Sequence, residues 1–217
     1  MAKVRDVFNA AMVQGAKFVG RWEFPALEIA DSTPQNLTPF SKQKEANDTN
    51  WLHFYSHDYT FASLWNDWRI KRGEYLKDFR RVAGAILPDF SLYRDMPLAM
   101  QIWSVYKSRA IGYWLQSNGV KIVPNIRWGD ERTYDFVFDG LPRGGTVAVG
   151  SHGCIKAKID RGYFLRGFNE MLNRIEPESV VVYGRIPRGM DVEALSGKVK
   201  IIPLASEFET SRKKGRA

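Results

Sequence analysis

Short, unbroken apolar runs alternate along this chain with longer stretches whose apolar residues recur every three or four positions. The runs are residues 18–24, 52–55, 83–87, 120–123, 146–149, 180–183 and 199–202. Most are rich in Val and Ile and apolar throughout, not on alternate residues only. Strands buried on both faces read this way, which is the habit of parallel sheets. Between them the spacing predicts helices. One covers 96–117, where Asp95 is placed to cap, Pro97 sits in the first turn and Asn118-Gly119 ends the helix. A second covers 161–174 and stops before Pro177. A third covers 61–79, weakened in its middle by Gly73.

Strand-to-strand intervals near 30 residues match the length of a βα unit. The expected fold is therefore α/β, a mainly parallel sheet of βα units. It reads as TIM-barrel-like or an incomplete barrel, with an open doubly wound sheet as the alternative. A faint echo supports the repetition. Leu87-Pro88-Asp89-Phe90 leads on to Asp95, and Val123-Pro124-Asn125-Ile126 leads on to Asp130. Residues 31–50 are polar, contain Pro34 and Pro39, and read as a surface loop. Residues 1–205 form one expected domain. Residues 206–217, with Arg212, Lys213, Lys214 and Arg216, read as a flexible basic tail.

Composition changes this picture in three ways. Apolar residues make up 44 % of the 217 positions, enough for a core. No apolar run approaches the roughly 20 residues that span a bilayer, and no secretory signal is visible, so a soluble protein without a membrane partner is expected. A single cysteine, Cys154, excludes an internal disulfide and fits a reducing compartment. The net charge of +8 and a pI near 9.6 favour phosphate-rich partners such as nucleic acid or nucleotides.

In parallel α/β folds the working groups lie just past the C-terminal ends of the strands. Those positions hold Glu23, His57, Asp58, Asp89, Asn125, Arg127, Asp130, Ser151, His152, Tyr183 and Arg185. Asp89 is the foremost candidate, because Asp95 already stands where the next helix needs a cap. Asp58 and Asp89 could act as general acid and base or share a divalent metal, with His152 as a further catalytic candidate. Asn125, Arg127, Ser151 and Arg185 are the candidates for ligand binding. The alternative for each is loop capping. His53 and His57 would lie about 13 Å apart on a strand, too far to share one ion, so no metal site is assigned. No Walker loop or nucleophile elbow is present, although the Gly-containing turn before Asp160 offers backbone N–H groups to a phosphate.

Trp65, Trp68, Arg69 and Arg72 open a basic and aromatic stretch that runs to Arg81. Aromatic rings that stack bases beside cations that hold phosphates suit single-stranded nucleic acid. The competing reading is an amphipathic helix whose aromatics face the core.

Several segments together resemble an uncharacterised family of phage and mobile-element proteins, a domain of unknown function. They are Pro88-Asp89-Phe90-Ser91, Arg94-Asp95-Met96-Pro97, Arg109-Ala110-Ile111-Gly112-Tyr113, Pro124-Asn125-Ile126-Arg127-Trp128 and Val180-Val181-Val182-Tyr183-Gly184. The resemblance implies an origin in a phage or mobile element and a place in the cytoplasm of a bacterial host. It brings no reaction, no cofactor and no established catalytic residue. Three functions follow as expectations: binding or acting on a phosphate-bearing ligand at the strand rim, hydrolysis by Asp58 and Asp89 with or without a metal, or non-enzymatic inhibition of a host protein.

Overall fold

The computed structural model describes residue 6, residues 8–207 and residues 209–210. The strands are β1 (Phe18–Val19), β2 (Phe24–Pro25), β3 (Asn36–Pro39), β4 (Asn50–His53), β5 (Gly84–Ile86), β6 (Ile122–Val123), β7 (Thr146–Gly150), β8 (Ser179–Tyr183) and β9 (Lys200–Leu204). The α-helices are α1 (Ser63–Asn66), α2 (Trp68–Arg80), α3 (Leu98–Ser117), α4 (Lys158–Ile175) and α5 (Val192–Leu195). Strands β3-β4-β5-β6 form one parallel sheet and β7-β8-β9 another. Among the described residues a single parallel bridge, Asn125 to Ala148, joins the two. Strand order follows chain order without the reversal that marks a doubly wound sheet. Among the described residues no strand pair closes the sheets into a ring, so the fold is mixed α/β with mostly parallel strands.

The apolar runs are continuous because both sheet faces are covered. Val147, Val149, Val180 and Val182 pack with Phe164, Phe168, Met171 and Ile175 of α4. Leu52, Ala85 and Leu87 pack with Trp68 and Phe79 of α2 and Ile111 and Leu115 of α3. The alternate residues Trp51, Ile86, Val123, Ala148 and Val181 form a third cluster on the other face, with Leu37 and Ile202 against it. Each large apolar side chain buried this way contributes about 1.5–3 kcal/mol. Phe168, 1 % exposed, is a change that breaks the α4 contact, since Phe-to-Ala in a core costs about 3–5 kcal/mol.

Several expectations need correction. Residues 18–24 are not one strand. Gly20 (φ 75°) and Glu23 (φ 53°) turn the chain there, and β1 pairs with β2 antiparallel. The polar stretch 31–50 contains β3, whose Asn36-Leu37-Thr38-Pro39 is too polar to show an apolar run. As the terminal strand of its sheet it carries Pro39 without losing the ladder. The helix expected over 61–79 breaks at Asp67 into α1 and α2. Pro97, not Asp95, occupies the cap position of α3, with no side-chain cap bond. Ser206, Glu207 and Glu209 of the expected tail carry hydrogen bonds. Glu209 Oε2 accepts from Ser206 N–H at 2.9 Å, and Tyr183 Oη accepts from Glu207 N–H at 3.2 Å. Arg212, Lys213, Lys214 and Arg216 lie outside the described residues.

Candidate functional site

A cleft of about 770 Å³ lies across the C-terminal ends of β4, β5, β6 and β7. Its walls are the segments that leave these strands together with the first turns of α4. Tyr55 and His57 come from β4, Asp89 and Tyr93 from β5, Arg127 from β6, and Gly150, His152 and Cys154 from β7.

A chain of polar contacts organises the floor. Tyr55 Oη donates to Asn125 Oδ1 at 2.9 Å, and Asn125 Nδ2 donates to Asp89 Oδ1 at 2.8 Å. Arg127 Nη1 donates to the other oxygen, Asp89 Oδ2, at 2.6 Å. The parallel register sets this up, because the two echo segments leave adjacent strands and bring Asp89 beside Asn125. Ser108 of α3 fixes the Asp89 segment from behind by donating to the Pro88 carbonyl at 3.0 Å.

The electrostatics follow from burial. Burial opposes charge on Arg127, but the neighbouring Asp89 outweighs it and holds the guanidinium above its ordinary pKa. Burial, then Asp89, push the Tyr55 phenol well up, so it stays protonated as a donor. Tyr55 stacks on Tyr183 with ring centroids 4.4 Å apart, and packs so closely on Gly150 that an added Cβ would come within 2.9 Å of its ring. Below it His53 is buried, and its pKa is pushed down to about 4 by burial. His53 is therefore neutral, and its Nδ1 accepts from Tyr55 N–H at 3.3 Å. Burial also raises the Cys154 thiol, against the pull of Arg127, so thiolate chemistry is suppressed there.

The remaining candidates divide. His152 lines the cleft. Asp58 does not: its carboxylate accepts from Ser91 N–H at 3.1 Å and Ser91 Oγ–H at 2.8 Å, which ties the segment after β4 to the segment after β5. The pairing of Asp58 with Asp89 as acid and base inside one cleft is not formed; Asp95 and Asp160 are the other carboxylates that line it. Ser151 is fully buried and donates to the Arg185 carbonyl at 2.7 Å, a loop tie away from the lining. Arg185 is exposed and donates to Glu209 at 3.0 Å, also outside the cleft. Among the described residues no group of three or more His, Cys, Asp or Glu is gathered to hold a metal ion.

Trp65 and Trp68 belong to the core, Trp68 at 2 % exposure, so neither can stack a base at the surface. Arg69 and Arg72 are exposed, and the Arg72 guanidinium lies over the Trp68 ring, 5.4 Å from its centroid. The aromatic and basic composition of this stretch came from a core face and a solvated face of one helix.

Sequence reasoning missed Tyr55, Tyr93, Arg94 and Tyr163. Arg94 pairs with Asp160 and lies 4.3 Å from the Tyr163 ring, whose contacts also include Arg166 at 4.4 Å. Tyr55 carried a readable signal, since it ends the apolar run 52–55. Tyr93 and Arg94 lie in a loop whose direction no periodicity gives.

The class these features define is an α/β protein with parallel strands in chain order and one polar, aromatic cleft across their C-terminal ends. The chain belongs to the family described as Domain of unknown function (DUF4417), whose model matches residues 16–202. It is 36 % identical over 185 residues to the Gene 1 protein of Mycobacterium phage D29, covering 83 % of this chain and 66 % of that protein. It is 35 % identical over 193 residues to the Gene 1 protein of Mycobacterium phage L5, covering 87 % and 81 %. The chain thus spans just under two thirds of the D29 relative's length. No solved structure matches. The expected resemblance to an uncharacterised phage family is met. Among the described residues no helix is long and apolar enough to cross a membrane.

Proposed function

We propose that the cleft binds a phosphate-bearing ligand of nucleotide size. The observation that carries this reading is the arrangement of Arg127 beside Tyr93 at the cleft wall. The guanidinium is fixed by Asp89 and lies 5.6 Å from the centroid of the Tyr93 ring, which is 54 % exposed. A planar base can stack on the open part of this ring, and a guanidinium has five N–H donors, of which Asp89 takes one from Nη1. A volume of about 770 Å³ suits a ligand of this size. The two other arginine contacts, Arg94 with Asp160 and with Tyr163, cover Tyr163 and favour Tyr93 as the stacking ring.

The same reading extends to the architecture. Parallel strands in chain order from β3 to β9, with an inner cluster drawn from each of them, support an incomplete barrel open between β3 and β9. Ligands in such folds sit where this cleft sits, past the strand C-termini.

Isothermal titration with nucleoside monophosphates tests the proposal. Binding is expected, with Arg127→Ala and Tyr93→Ala each weakening it about tenfold or more, since a charge-assisted hydrogen bond or a stacked base is worth about 1–3 kcal/mol. No heat at millimolar nucleotide, or binding indifferent to both changes, overturns it.

A further inference from the structure

Two exposed tyrosines, Tyr93 in the cleft lining and Tyr59 outside it, are joined by a clamp. Tyr59, in the turn after β4, is 79 % exposed, and its ring stacks on His57, centroids 5.5 Å apart and planes 10° from parallel. His57 lines the cleft. Tyr93, in the segment after β5, also lines it. Asp58, next to Tyr59 in sequence, accepts two hydrogen bonds from Ser91, whose Oγ lies 3.2 Å from the Tyr93 hydroxyl. The clamp therefore holds two solvent-facing rings on neighbouring loops. Neither ring belongs to a core cluster, and each leaves ring surface open to water on which a flat base can stack. The protein's net charge of +8 favours an anionic partner, and a single-stranded nucleic acid brings both that charge and flat bases for the rings to stack.

We infer that the ligand is a single-stranded nucleic acid, with one nucleotide in the cleft against Tyr93 and the adjoining bases stacked on His57 and Tyr59, the three rings forming one platform. This rests on the nucleotide reading of the cleft and extends it from a monomer to a chain. Asp58 is then a positioning residue: it holds the platform together and touches no ligand. Stacking of this kind tolerates any base, so weak sequence preference and a marked salt dependence follow.

The test uses fluorescence anisotropy with labelled 12-mers of deoxythymidylate and of uridylate, and the matching mononucleotides as competitors, at low and physiological salt. Oligomers are expected to bind at least tenfold more tightly than mononucleotides. Tyr59→Ala, at a position too exposed to unfold the chain, should lower the ratio of oligomer to mononucleotide affinity by about 5- to 100-fold. Asp58→Asn should lower the same ratio with the fold checked by circular dichroism. The two probes separate the sources: tighter binding of either the DNA or the RNA oligomer supports the platform, and a difference between them assigns the sugar a part. Mononucleotide binding with no gain for either oligomer, or a ratio indifferent to Tyr59→Ala, overturns the platform and leaves the cleft reading standing. Failure of both mononucleotides and oligomers to bind at low salt overturns both.

Discussion

Arg127 Nη1 donates to Asp89 Oδ2 at 2.6 Å, and the pair spans the segments that leave two neighbouring parallel strands, β5 and β6. The carboxylate is 11 % exposed and the guanidinium 24 %. Removing either partner leaves a largely buried charge without its counter-ion. Asp89→Ala is expected to cost about 2–3 kcal/mol, below the full value for a deeply buried pair because Arg127 keeps some water. In a chain of this size that is a fall in Tm of about 4–12 °C. Adding Arg127→Ala to Asp89→Ala should recover part of the loss in a double-mutant cycle by thermal denaturation. Strictly additive losses would show the two residues to be uncoupled.

Stability should depend on pH through His53. Burial lowers its folded pKa to about 4, whereas the unfolded chain titrates near 6.5. Between these values the unfolded state binds more protons, so stability rises with pH through this window and is lost as pH falls from about 6.5 towards about 4. The full difference is worth about 3 kcal/mol. Urea titrations at intervals from pH 4 to pH 7 measure it. His53→Gln, which removes the titrating ring, should flatten the profile in this window, and an unchanged slope would assign the effect to other groups.

The helix once read as a stacking surface separates its two faces in one experiment. Trp68→Ala should cost about 3–5 kcal/mol, because the ring is 2 % exposed and packs against Trp114 at 5.8 Å. Arg69→Ala, on the exposed face, should stay within about 0.5 kcal/mol. Trp68 Nε1 is buried with no hydrogen-bond partner among the described residues, so Trp68→Phe gives up ring volume but no hydrogen bond and should cost clearly less than Trp68→Ala. Chemical denaturation of the three variants decides it, and equal losses for Trp68→Ala and Arg69→Ala would contradict the assignment of faces.

What the sequence made legible was what burial writes into it. The runs 83–87, 120–123 and 146–149 announced strands covered on both faces, and the positions after them led to Asp89, Asn125, Arg127 and His152. Strand β3 escaped because Asn36 and Thr38 meet little apolar surface. Trp65 and Trp68 misled because composition carries no direction: the same residues build a core face or a stacking surface, and only tertiary packing chooses. Asp58 has the type and position of a catalytic acid, and only its distance to Ser91 shows that it ties two loops together. The loop residues Tyr93 and Arg94 were silent for the same reason, since no period fixes where a loop points.

The bridge between Asn125 and Ala148 gives the molecule a seam. Ile126 N–H reaches the Ala148 carbonyl at 2.9 Å and Ala148 N–H reaches the Pro124 carbonyl at 2.8 Å, whereas β7 and β8 share a five-residue register. The cleft straddles this seam, with Asp89 and Arg127 on one bank and His152 and Cys154 on the other. A ligand that touches both banks is a staple, and its affinity is spent partly on cohesion between the two half-sheets. In native-state hydrogen exchange the amides of Ile126 and Ala148 should open at lower free energy than those of Val180 and Val182, and saturating ligand should raise the former by RT ln(1 + [L]/Kd). Occupancy of the cleft and the integrity of the sheet would then be one equilibrium, read from either end.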